Sequence, residues 1–208
     1  MRGGGSVMSN TSATGGFLIP APLVPGLQTI PPNLTLVQFI QTVFVGISDF
    51  PGSLVRPMWQ VEPPKQPDLT VDWMAFGIAN VDPDSNAFIG FDSDNNPILQ
   101  RQEELTITCS VYGPNAMSNI TLIRDGFQIQ QNLKSLLTAN MVFAYDSPAR
   151  HIPDFFNERW IDRYVTEIFL RRQVQRSYPI LNFVSATGII YSQTASNTNY
   201  QETFSAGS

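Results

Sequence analysis

Asp92, Asp94, Asn96 and Glu103 stand at positions 1, 3, 5 and 12 of a pattern that, in calcium-binding loops, supplies oxygen ligands to one ion. Position 6 of such a loop turns sharply and is normally glycine; here it is Pro97. Calcium loops of this type also lie between helices, whereas Glu103 opens an alternating apolar run. The spacing therefore reads as a hairpin turn built from turn-forming residues, with no metal expected. Cys109 is the single cysteine, and it falls on the apolar side of that alternating run, which is the place of a buried structural thiol rather than a nucleophile. His151, the single histidine, sits near Pro153 in an expected loop, with no serine elbow or poised cysteine to serve as its partner. The sequence has no Gly-rich phosphate loop, HExxH or CxxC pattern. No catalytic residue, cofactor site or metal site is expected.

The strongest remaining feature is a group of arginines. Arg163, Arg171, Arg172 and Arg176 fall within one stretch near the C-terminal end, ending at Tyr178, with no acidic block beside them in the sequence to face. The chain as a whole is acidic, with 17 Asp and Glu against 12 Lys and Arg. Lys65 and Lys134 are the only lysines, so the stretch lacks the dense basic surroundings of a nucleic-acid site, and a net charge of −5 argues the same way. Arginine is favoured at protein interfaces because its planar fork makes bidentate contacts and stacks on aromatic rings. These arginines and Tyr178 are accordingly expected to contact another subunit or partner.

The totals agree with a subunit of an assembly. The 208 residues suffice for one domain with a substantial core. Charged residues make up 14% of the chain, where about 25% is usual for soluble domains, so part of the surface is expected to be neutral or covered. One cysteine excludes an internal disulfide framework. The best apolar run, residues 34–47, is interrupted by Gln38 and Gln41, and the proline-broken N-terminal stretch is a poor signal peptide. A protein made in the cytosol, without a membrane partner, is expected.

The elements that would position these residues follow from periodicity. Residues 1–33 are rich in Gly, Ser, Thr and Pro, yet carry Phe17, Leu18 and Leu23; they read as an extended arm able to lie in a groove, on a neighbouring subunit or otherwise. A helix is expected from Leu34 to Ser48, capped by Asn33. Extended stretches follow at 54–62, 72–81 and 104–111, separated by a loop at 63–68 and a turn region at 82–96. In the third, Leu105, Ile107, Cys109 and Val111 form one face. A second helix is expected over 115–131, a short one over 133–139, and a strand over 141–145. A long strand from Arg159 to Tyr178 exceeds the usual span. One more extended piece follows Pro179, and residues 194–208 read as a polar tail. The order gives an α+β fold: a largely antiparallel sheet with two or three helices packed on it and extended N- and C-terminal arms.

Four blocks together carry a resemblance. "RPMWQVEPPKQPDLTVDWMAFGI" (56–78), "LQRQEELTITCSVYGPNA" (99–116), "IRDGFQIQQN" (123–132) and "LRRQVQRSYPILNFVSATGII" (170–190) resemble, in that order, the neck terminator proteins of contractile-tailed bacteriophages, relatives of the tail terminator or tail completion proteins. The resemblance covers residues 34–190 and leaves the segments 1–33 and 191–208 outside it. It implies a structural virion protein forming a ring, usually a homohexamer, that ends tail tube and sheath polymerisation and joins the tail to the head-completion, collar or connector proteins. DNA would pass through its lumen without specific binding. Assembly in the host cytoplasm and residence in the neck of the virion would follow. The alternatives are another ring of the same region, such as a head-completion or tube-like subunit, and, from another class, a small metal- or nucleotide-dependent enzyme.

Overall fold

A computed structural model describes residues 35–93, 96–156, 158–177, 185–193 and 199–207. The first element is helix α1, Leu36–Ser48. Its N-cap is Thr35, whose hydroxyl accepts from the Gln38 amide at 3.2 Å while the Gln38 side chain accepts from the Thr35 amide at 2.8 Å. This reciprocal capping box satisfies two of the helix's free amides, and it displaces the cap from the expected Asn33, which lies outside the described residues. Asp49 ends the helix in the left-handed region at φ 58°.

The sheet begins with β1, Val55–Pro57, and continues through β2, Trp73–Pro83, β3, Phe88–Phe91, and β4, Pro97–Tyr112. After helices α2, Ala116–Gly126, and α3, Lys134–Thr138, come β5, Met141–Asp146, β6, Arg150–His151, and a hairpin of β7, Asp154–Phe156, with β8, Arg159–Ile161. Strand β9, Arg163–Ser177, completes the main sheet in the order β1-β2-β4-β9-β5, with β3 added beside β4 and β6 beside β9. The β1–β2 pair is parallel and every other pairing in the sheet is antiparallel. The architecture is the expected α+β.

One face of this sheet holds the core. Met74, Phe76, Leu105, Ile107, Cys109, Val111, Ile168 and Leu170 meet Phe39, Ile40, Val43 and Phe44 of α1, Ala116, Ile120 and Ile123 of α2, and Phe127. The face expected for residues 104–111 is therefore the face found. Burial pushes the Cys109 thiol up to about 12, so it stays protonated and inert at neutral pH. The first extended stretch is shorter than its composition suggests, because Pro57 has no amide to donate and Trp59 takes φ 56°. The second helix stops at Gly126 rather than 131. The long C-terminal strand is interrupted at Asp162, and His151 pairs with Tyr164 in β6 rather than lying in a loop.

Apart from this sheet, β10, Ser185–Gln193, and β11, Asn199–Gly207, form a two-stranded antiparallel hairpin. Residues 199–207 are thus a strand where the sequence reads as polar tail.

Candidate assembly interface

The acids that the arginines lack in sequence arrive by strand register. β4 runs antiparallel to β9 so that Glu103 stands opposite Arg172, Glu104 opposite Arg171 and Leu99 opposite Arg176. The Arg171 Nε donates to Glu104 at 3.0 Å, and the Tyr145 hydroxyl donates to the same carboxylate at 3.1 Å. Arg172 grips one oxygen of Glu103 with Nε at 2.9 Å and Nη2 at 2.8 Å. Arg163 holds both oxygens of Asp154, on β7, at 2.8 and 2.9 Å. Partners separated by nine to 69 positions are invisible to a search for neighbouring acids in the sequence.

Burial separates the arginines into kinds. The Arg172 and Glu103 side chains are 12% and 13% exposed, on the core side of the sheet just beyond Leu105 and Leu170. Arg171, on the other side, is 63% exposed. Tyr178, Phe17, Leu18 and Leu23 lie outside the described residues. Glu103 also belongs to the calcium-like spacing and is consumed here. Asp92 closes the β3–β4 turn by accepting from the Asn96 amide at 2.7 Å, and among the described residues no group of acids, His or Cys is arranged to hold a metal.

A second surface lies on the sheet face away from the helices. Trp73 and Tyr112 are cross-strand partners whose rings stack at 4.3 Å and 6°. Arg56 stands over Trp73 at 5.6 Å and Arg163 over Tyr112 at 5.8 Å, so two cations flank the aromatic pair. The chain is held there by the turn after Tyr112. Gly113 has φ 115°, and a Cβ on it would collide with Asp72, whose carboxylate accepts from the Asn115 amide and side chain at 2.8 Å each. Two of the sequence blocks, "TVDW" and "YGPNA", are therefore bound to each other at this point. Trp59 closes the row by laying its ring over Gly77, where any Cβ would meet it at 2.5 Å, while the indole remains 71% exposed.

The third surface is the outer edge of β3. Among the described residues its only strand partner is β4, and Phe88, Ile89 and Phe91 are all exposed. An exposed apolar edge strand is a template for pairing with another chain. Local spacing does not mark β3, Trp59, Trp73 or Tyr112 as surface features. The aromatic composition of 11% is ordinary, and only strand register brings these rings together.

These surfaces, and the sheet that carries them, fall within residues 34–194, which match the family model described as phage neck terminator protein. The chain belongs to the phage neck terminator protein family. No curated protein matches it. Membership makes this a structural protein of the bacteriophage neck, as the four sequence blocks imply. No helix among the described residues of this family member is long and apolar enough to cross a membrane.

Proposed function

We propose that the protein forms a homohexameric ring at the neck of a contractile phage tail. There it ends polymerisation of the tail tube and sheath and joins the tail to the head-completion complex. Family membership across residues 34–194 carries this reading. Its physical support is the surface: an apolar edge on β3, unpaired among the described residues, gives a subunit a place to pair with a neighbour, and a chain with 14% charge has little surface devoted to remaining apart. A net charge of −5 suits a lumen through which DNA slides, since a basic wall would bind phosphates and retain the genome. Arg171 and Arg176 on β9 are the members of the arginine group we assign to contacts with neighbouring subunits, tube, sheath or connector proteins. Arg172 and Arg163 serve the subunit's own ion pairs. The role is structural, without catalysis or cofactor, and its place is the virion, with assembly in the host cytoplasm.

Light scattering on the purified protein, alone and mixed with tail tubes, tests the ring. The expected species has six times the 23.1 kDa subunit mass and shows a six-fold ring by negative-stain microscopy. A species that stays monomeric at high concentration and in the presence of tubes would overturn the reading.

A further inference from the structure

The groove beside the Trp73–Tyr112 stack has the chemistry of a polyproline-binding site. It has a volume near 510 Å³ and is lined by Trp59, Trp73 and Tyr112, by Pro57, Pro63 and Pro64, and by Arg56, Gln60, Gln66 and Asp154 at its polar positions. Its charges are already committed. Arg56 donates to the Ser53 carbonyl at 3.0 Å and the Lys65 carbonyl at 2.8 Å, and Asp154 is held by Arg163. What the groove offers a ligand is flat aromatic and prolyl surface with amide donors nearby. That combination recognises an uncharged extended segment in polyproline II conformation, whose carbonyls project outward and whose ordering cost is low.

The chain supplies such a segment. Residues 3–33 contain no charged side chain, and Pro22-Leu23-Val24-Pro25 repeats proline at an interval of three. Polyproline II has three residues per turn, so Pro22 and Pro25 share one side, about 9 Å apart. The described chain starts at Thr35, and the intervening seven residues, 28–34, span up to about 25 Å when extended, enough to travel well beyond the start of α1. We infer that the segment Ala21–Leu27 of the N-terminal arm is the occupant of the Trp59–Trp73–Tyr112 groove. This gives the arm's apolar residues a partner of stated chemistry. The inference does not depend on the number of subunits in the ring.

Thiol cross-linking in the full-length chain tests it, since Cys109 is buried and does not compete. A Val24→Cys/Gln66→Cys protein treated with a short bifunctional thiol reagent is expected to cross-link at least tenfold faster than a Ser12→Cys/Gln66→Cys control. Adding Trp59→Ala, a change at a largely exposed residue, should slow the Val24 reaction severalfold, as should Pro22→Ala with Pro25→Ala. A cross-linked monomer band or a dimer band on a non-reducing gel, reporting an arm from the same or an adjoining subunit, supports the assignment equally. Equal rates at positions 12 and 24, or a rate indifferent to Trp59 and both prolines, would overturn it. A failed ring shows separately, as a monomer by light scattering.

Discussion

At the residue scale the arginines show how one residue type divides its roles by position. Arg172 and Glu103 are mostly removed from water and hold each other through two guanidinium nitrogens, whereas Arg171 and Glu104 meet at the surface. Removing one partner of a desolvated pair leaves the other charge without compensation, which costs more than an exposed pair ever contributes. Arg172→Ala is expected to destabilise the subunit by about 2–4 kcal/mol, and Arg171→Ala by less than about 1 kcal/mol. Urea unfolding of both variants checks the difference, and adding Glu103→Gln to Arg172→Ala should recover part of the loss. Equal midpoints for the two single variants would show that the Arg172 pair is no better shielded than its neighbour. The existence of an arginine-bearing strand was legible in the sequence, because aromatic and β-branched residues alternate with the arginines. Their acids were not, because pairing β4 against β9 is a property of register, which no local spacing reveals.

At the element scale, legibility followed length and periodicity. The Leu105–Val111 alternation predicts the face that the structure buries, because a strand with one buried side must repeat every two residues. The four residues of β3 and the three-residue strands β7 and β8 are too short to show a period, so 82–96 read as turn and Arg159–Ile161 merged into the strand that follows. Yet β3 carries an exposed apolar edge, with Phe88, Ile89 and Phe91 all open to solvent. Ile89 is 66% exposed, so a change there should not disturb the core, while a lysine on an edge strand discourages pairing with another chain. Ile89→Lys is expected to leave the thermal midpoint within about 4 °C of the parent, the shift that corresponds to no more than about 1 kcal/mol in a chain of this size. Sedimentation at equal protein concentration should show the proposed ring dissociating at least tenfold more readily. Unaltered assembly of this variant would move the subunit contact away from β3.

At the scale of the whole molecule, the described residues build a core among themselves. Its buried cluster runs from Phe39 to Leu170 and draws on α1, α2, α3 and five strands of the main sheet. Folding of the subunit is therefore expected to rest mainly on residues after Thr35, whereas an extended proline-bearing arm adds contact area at low ordering cost, on its own subunit or on a neighbour. Deleting residues 1–30 is expected to retain the circular dichroism spectrum and a cooperative unfolding transition. If the proposed ring caps the tube, the same deletion should make the ring dissociate at higher protein concentration and, in phage, yield tubes of irregular length or heads and tails that fail to join, because an uncapped tube continues to grow. The two readouts separate the roles. A deletion protein that no longer unfolds cooperatively would place the arm in the fold itself. One that assembles, caps tails and supports infection as the full chain does would make the arm dispensable, and would leave the aromatic groove to be filled by a different virion protein.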